Sequence, residues 1–254
     1  MDEFKLKNDI HEIRSYIASE WPGIEERKHL YMRLTRLEKM LKEANKTMDL
    51  NKIFELYPGK TELFYKWSIK QEDAQVLFDV TKELNPKKIA VIGVFKGVSS
   101  HVIIQALDSF DTMYNIDPFF DGYIAGDNYE LCYRDSIKDV AKGKIVTLKG
   151  YASTKGPETI TFANEVKDVP EHMISNISCD LDLCFIDGDH NYPVCLHDFQ
   201  EVWPKMRKGG KVVLHDTISW KHTIDKLLDY IRNLPDASLE LHPGIDGVGV
   251  VTKK

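Results

Sequence analysis

Two short stretches of the chain carry side chains whose type and spacing could do chemistry. One is Phe185-Ile186-Asp187-Gly188-Asp189-His190-Asn191-Tyr192 and the other is Val213-Leu214-His215-Asp216. Each follows an apolar run, Leu181 to Ile186 and Lys211 to Leu214, that reads as a buried strand. Parallel neighbours in a sheet lie about 4.8 Å apart, so Asp187 and Asp216 converge if the two strands are adjacent. Converging carboxylates repel unless one is protonated or a cation lies between them. Oxygen ligands of this kind suit Mg²⁺, Ca²⁺ or Mn²⁺. The competing reading is an acid that caps the next helix, and it is adopted for Asp189. His190, three residues past Asp187, is placed to take a proton from a hydroxyl held at the same edge.

A second constellation lies upstream, in Ile92-Gly93-Val94-Phe95-Lys96-Gly97-Val98-Ser99. It sits between an expected strand, Lys88 to Ile92, and an expected helix, Ser99 to Leu107. Glycines there let the chain turn sharply and let a ligand approach the backbone, with Ser99 capping the helix. Glycines for tight strand–helix packing are the alternative. The next expected strand, Thr112 to Ile116, runs into Asp117, an acid placed to accept hydrogen bonds from ribose hydroxyls. The loop lacks the GxGxxG pattern of dinucleotide sites, which points to a ligand without a pyrophosphate.

The elements that must hold these residues alternate along the chain. Helices are expected at Tyr129 to Lys142, Val194 to Met206 and Thr223 to Asn233, with a third strand at Lys144 to Lys149. Gly209-Gly210 reads as a turn, and Leu239 to Leu241 with Gly247 to Thr252 as a closing hairpin. The pattern predicts an α/β, Rossmann-like, doubly wound fold: a mostly parallel seven-stranded sheet with a C-terminal antiparallel strand. Before it, Gln71 to Leu84 is a helix ended by Asn85-Pro86, and Asn51 to Lys70 is an aromatic wrapping segment or lid. Ile10, Ile13 and Ile17, then Leu30, Leu34, Leu37 and Leu41, repeat at helical spacing around Trp21-Pro22-Gly23. Residues 1–70 are therefore expected as a helical extension, a lid or a homo-oligomer contact, and 71–254 as the Rossmann-like domain.

Of the chain's 254 residues, 43% are hydrophobic and 29% charged, and the net charge is -6. An acidic balance argues against nucleic acid as partner. Cys132, Cys179, Cys184 and Cys195 form no CxxC pair, so no zinc knuckle or disulfide framework is expected. With no apolar h-region at the N-terminus and no run of roughly 18 apolar residues, a cytoplasmic protein without a membrane span is expected.

The run VIGVFKGVSS, then NID, then FIDGDHNYPVCLHDFQEVWPKMRKGGKVVLHD resembles class I S-adenosylmethionine-dependent methyltransferases. Among them it is most similar to the metal-dependent macrocin O-methyltransferase-like and cephalosporin hydroxylase-like group. The resemblance covers roughly Lys87 to the C-terminus. It implies that Gly93, Phe95, Gly97 and Ser99 cradle the methionine end of the cofactor. It implies that Asp117 holds the ribose and that Gly150, Tyr151 and Ala152 flank adenine. Asp187 and Asp216 are implied as ligands of Mg²⁺ or Mn²⁺, Asp187 also touching the cofactor, with His190 as base. Two positions depart from the pattern. Val91 stands where an acid commonly precedes the first loop. His215 replaces the first acid of a pair after the fifth strand, a poorer Mg²⁺ ligand but a good one for Mn²⁺, Fe²⁺ or Zn²⁺. The implied reaction is O-methylation of a small-molecule acceptor, a sugar, nucleotide-linked sugar or glycosylated metabolite. An NAD-linked oxidoreductase, which would want a Tyr-x-x-x-Lys or a placed acid–base pair, and a non-catalytic binding protein are the rivals.

Overall fold

Seven short runs rich in β-branched and apolar residues pair into one sheet. They are β1 (Lys88–Ile92), β2 (Thr112–Asp117), β3 (Lys144–Lys149), β4 (Leu181–Ile186), β5 (Met206–Leu214), β6 (Ala237–His242) and β7 (Val248–Lys253). The computed structural model describes residues 48–57, 62–119, 128–154 and 169–254, with scattered positions between 9 and 34. The strand order is β3-β2-β1-β4-β5-β7-β6. The first five strands are parallel, and β7 runs antiparallel to both β5 and β6. The chain returns across the sheet between β1 and β4, the point where ligands bind in open parallel sheets. Register fixes the edge there: Ile92 pairs with Ile116 and Ile186, and Ile186 with Leu214. Gly93, Asp117, Asp187 and His215 are thereby ranked along one line.

Alternation decides what each face buries. Ile89 and Val91 of β1 join a core with Leu183, Phe185 and Val213, while Ala90 and Ile92 join the opposite core with Cys184, Ile186 and Val212. Helices α1 (Leu50–Glu55), α2 (Glu62–Trp67), α3 (Gln71–Leu84), α4 (Val98–Ala106) and α5 (Tyr129–Lys138) supply the first core. Helices α6 (Tyr192–Val202) and α7 (Lys221–Arg232) supply the second. The expected wrapping segment thus contains two helices, whose Ile53, Phe64 and, just beyond, Ile69 are buried. It is tied down where Gln71 and Gln75 of α3 accept from the backbone N–H groups of Leu50 and Met48.

Helix α5 ends at Lys138 instead of Lys142, and two further boundaries move for identifiable physical reasons. Strand β5 begins at Met206, not Lys211, because the glycine pair makes a bulge within the strand: pairing with β4 shifts register between Leu181 and Leu183. A Cβ on Gly210 would lie 2.9 Å from the carbonyl oxygens of Arg207 and Leu181, so only glycine fits. Helix α6 stops at Val202, where Pro204 tightens the chain into a 3₁₀ turn over Trp203–Lys205.

Residues 1–47 form a unit separate from 48–254. Its described positions are helical, with Ile13 and Leu34 buried. Ile10, Ile17, Leu37 and Leu41 of the expected seam lie outside the described residues. Among the described residues no helix is long and apolar enough to cross a membrane.

His101 is an unusual core residue. It is fully buried in α4, neither ring nitrogen is hydrogen-bonded, and its ring centroid lies 6.3 Å from that of Tyr57. Burial, assisted by the charge of Lys142, pushes its pKa down to about 4 from an ordinary 6.5. The unfolded chain therefore takes up the proton first. Stability is full above pH 6.5 and falls as the pH drops towards 4. Urea unfolding at pH 7 and 4.5 should show a loss of about 2.5 kcal/mol from this residue. His101→Phe should lack that component, and an undiminished acid loss in the variant would remove the assignment.

Candidate active site

The loop after β1 needs glycine at Gly93. Its φ is +79°, and a Cβ there would sit 1.8 Å from the backbone oxygen of Asp187. The loops after β1 and β4 are in direct backbone contact at this point. Gly97 serves packing: a Cβ on it would meet the Tyr133 ring at 2.8 Å, and it does not line the cavity described below. Ser99 does line that cavity but does not cap α4. The positive φ of Gly97 starts the helix at Val98, which leaves Ser99 inside the first turn.

Asp117 ends β2 and is occupied by the same loop. Its Oδ2 accepts from the backbone N–H groups of Val94 and Phe95 at 2.7 and 2.8 Å, and its Oδ1 from Phe119 N–H at 2.6 Å. Burial raises its pKa despite those three donors, with the Asp187 charge adding to the rise.

Across the β1–β4 line the second constellation assembles. Asp187 follows β4, and His215 and Asp216 follow β5. His190 Nε2 lies 2.5 Å from Asp216 Oδ2 and 3.8 Å from Asp187 Oδ1. His215 Nδ1 lies 3.3 Å from each of the same two oxygens. Neither His190 Nε2 nor either nitrogen of His215 is aligned for a hydrogen bond, although all are buried. Asp187, His190 and Asp216 each offer one donor atom, all within 4.8 Å of one another. Asp216 holds a left-handed φ of +61°, and the Ser219 hydroxyl donates to its Oδ1. The His190 ring stacks on Trp220, centroids 4.9 Å apart and planes 4° from parallel.

The electrostatics are strongly coupled. Burial would lower the pKa of His190, but Asp187 and Asp216 outweigh it and raise it to about 9. His215 rises for the same reason against the same burial. Asp216 falls well below the usual carboxylate range, its burial overcome by His190 and His215. Behind His215 stands a further acid, Asp73 of α3, 3.9 Å from Nε2. The Asp73 carboxylate accepts from the backbone N–H groups of Asp246 and Gly247 at 3.0 and 3.1 Å.

Both halves open into one cavity of about 920 Å³. It is lined by Gly93, Phe95, Ser99, Asp117, Gly150, Tyr151, Ala152, Asp187, His190, His215 and Asp216, so every expected site residue except Gly97 reaches it. Trp67, Asp198 and Trp220 also line it and were not singled out in the sequence. An acid inside α6 and a tryptophan before α7 carry no local signal, and Asp73 is indistinguishable from any acid in a helix's first turn.

A model of a methyltransferase domain matches residues 90–217, just over half of the chain. The chain belongs to the methyltransferase domain family. It is an S-adenosylmethionine-dependent methyltransferase. No curated protein matches it in sequence. Among solved structures it is similar to an O-methyltransferase from Bacillus cereus in complex with SAH (S-adenosylhomocysteine), at 14% identity, with 86% of this chain and 97% of that one covered and a TM-score of 0.55. It is also similar to the O-methyltransferase TomG of Streptomyces achromogenes, involved in tomaymycin synthesis (12%, 85% and 95%, 0.55). A third is the SAH-bound methyltransferase PaMTH1 of Podospora anserina (14%, 92% and 97%, 0.57). At such identities these likenesses establish the fold. Family membership removes the oxidoreductase and non-catalytic readings. The methyltransferase does contain a Tyr-x-x-x-Lys spacing, at Tyr151 to Lys155, with Lys155 outside the described residues.

Asp117 both braces the glycine loop and faces the cavity, so Asp117→Ala should show two losses. Affinity for S-adenosylhomocysteine, read by calorimetry, should weaken by about 1.5–3 kcal/mol, the scale of hydrogen bonds to a charged group. The melting temperature of the ligand-free methyltransferase should fall as well, because three N–H groups lose their acceptor. An unchanged affinity would detach this acid from the cofactor.

Proposed function

We propose that the enzyme moves the methyl group of S-adenosylmethionine to a hydroxyl of a sugar, nucleotide-linked sugar or glycosylated metabolite. A divalent cation, Mg²⁺ or Mn²⁺, would be held by Asp187, Asp216 and His215. The observation that carries this reading is the approach of two imidazoles, His190 and His215, to the carboxylates of Asp187 and Asp216 in the cavity that also receives the glycine loop. The donor set fits a cation. His215 Nδ1 is buried, unaligned with any hydrogen-bond partner, and equidistant from both carboxylate oxygens. An imidazole beside two carboxylates favours Mn²⁺ over Mg²⁺.

When bound, the cation supplies positive charge that makes an acceptor hydroxyl more acidic. The chain's own residues do the rest. Gly93, Phe95 and Ser99 approach the methionine end, Asp117 the ribose, and Gly150, Tyr151 and Ala152 the adenine. Alignment of the two reactants, with water excluded between them, supplies much of the acceleration. His190 accepts the acceptor's proton at Nε2, its ring held flat against Trp220. With the carboxylates uncompensated the imidazole keeps a proton of its own, so it serves as a base only once their charge is neutralised. A hydroxylated ring suits the remaining wall, where Trp220 presents an apolar face beside Ser219, Thr223 and Asp246. That two of the similar structures are of O-methyltransferases agrees with oxygen as the atom methylated.

His190→Ala should lower turnover by about 10²–10⁴-fold while leaving metal content unchanged, the pattern of a lost base. Asp216→Asn should lose metal and turnover together, because it removes charge from the ligand set. Exhaustive chelation should abolish activity, and added Mn²⁺ or Mg²⁺ should restore it. Full turnover in metal-free enzyme would falsify the metal part, and metal loss in His190→Ala would make that residue a ligand instead of the base.

A further inference from the structure

The acid behind His215 takes no part in the chemistry proposed above, and it does not line the cavity. Asp73 lies in the first turn of α3 and is fully buried. A buried carboxylate needs hydrogen-bond donors or a cation. The donors come from the turn before β7. Asp246 N–H reaches its Oδ2 at 3.0 Å and Gly247 N–H its Oδ1 at 3.1 Å. The turn is shaped to the acid, since a Cβ on Gly244 would lie 1.8 Å from Oδ1. The same turn is laced to the residues after Asp216. Thr217 donates its backbone N–H to the carbonyl of Gly247, and Ile218 and Ser219 donate theirs to that of Asp246. The carboxylate is thereby fixed relative to the end of β5. Among the described residues, the only basic side chain within ion-pair distance of it is His215, 3.9 Å away at Nε2.

His215 stands between two sets of acids. Its Nε2 faces Asp73, and its Nδ1 lies 3.3 Å from both Asp187 and Asp216. The ring is buried, its backbone N–H is held by the Ile186 carbonyl, and neither ring nitrogen is aligned for a hydrogen bond. A neutral imidazole carries one proton, and only the nitrogen without it can bind a metal. A proton on Nδ1 would close that nitrogen to a cation. A proton on Nε2 leaves Nδ1 open and faces the Asp73 charge. At 3.9 Å the attraction is one of charge, without a formed hydrogen bond. Once a cation offsets Asp187 and Asp216, Asp73 is the acid left to draw the ring proton. A carboxylate in that position also makes the imidazole a stronger electron donor.

We propose that Asp73 positions His215 as a metal ligand, holding the ring proton on Nε2 so that Nδ1 keeps its lone pair for the cation. The inference rests on the proposed cation at Asp187, Asp216 and His215. Asp73 touches no reacting atom. It acts through His215 and sets how tightly the cation is held. Helix α3, which precedes the first strand of the sheet, thereby contributes to a site otherwise built from the ends of β4 and β5.

The test begins with the unaltered enzyme, its histidines labelled with ¹⁵N, saturated with Mg²⁺. Long-range proton–nitrogen spectra should show His215 protonated at Nε2 and unprotonated at Nδ1, its signals assigned by their loss in His215→Gln. Any other pattern overturns the inference without recourse to an Asp73 variant. Calorimetry with Mn²⁺ then reads affinity. Asp73→Asn should bind Mn²⁺ about 10–100-fold more weakly, the usual cost of losing a carboxylate behind a ligating histidine. Its affinity for S-adenosylhomocysteine should be unchanged. In a His215→Gln background the same substitution should cost little more, because the residue through which it acts is gone. An equal loss in both backgrounds would make Asp73 a source of general charge or of fold stability and overturns the inference. Unchanged Mn²⁺ affinity in a folded Asp73→Asn variant overturns it too. If the unaltered enzyme binds no Mn²⁺, the proposed metal site falls and this inference with it, whereas every other failure leaves the metal site standing.

Discussion

Two carboxylates at the ends of neighbouring parallel strands cannot move apart. The register Ile186 to Leu214 fixes Asp187 and the His215-Asp216 pair against each other through backbone hydrogen bonds, and the strand ends beneath, Cys184 to Ile186 and Val212 to Leu214, are buried. Their mutual repulsion must be met by positive charge brought to them. The chain brings two imidazoles, one from the loop over the edge and one from the strand end itself, and both are pushed towards the charged form by the acids they face, against the burial that opposes it. A proton on each balances the pair, and a divalent cation offers the same balance more compactly. Asp73 extends the arrangement backwards: placed behind His215 and gripped by two backbone N–H groups, it makes α3 and the turn before β7 part of the same charge network.

The donor half is built on a different logic, that of a backbone held by side chains. Asp117 gathers three N–H groups of the loops around it, and α6 fastens the loop after β3 at three points. Lys96, fully buried, sets its ammonium over the rings of Phe64, Phe95 and Tyr129 at 5.4–5.9 Å, which ties α2 to the glycine loop through cation–π contact. The result is a rigid cradle on one side of the sheet's switch point and a charge cluster on the other.

Much of this was legible in the sequence because the signals were local. Lys88–Ile92 and Leu181–Ile186 are bounded by turn residues and fully apolar at alternating positions, and Lys144–Lys149 is an apolar-centred run between Gly143 and Gly150, so their limits could be read directly. Asp187, Asp216 and His190 were legible because strand ends of a parallel sheet point the same way. Other features depended on contacts between distant parts of the chain. The glycine pair in β5 looks like a turn until β4 is beside it. Ser99 looks like a cap until the φ of Gly97 is known. Asp73, Asp198 and Trp220 acquire meaning only from what the fold sets opposite them.

The backbone contact between Gly93 and Asp187 bears on how such an enzyme can change. Since the two loops touch main chain to main chain, neither can be lengthened, shortened or given a larger residue there without separating the halves of the site. The separation of the two reactants is in that sense inherited from the sheet. New acceptors would have to be accommodated at the outer wall, by cavity-lining positions of α7 such as Thr223 and Lys226, which lie outside that seam. The molecule divides into a part that conserves a distance and a part free to diversify.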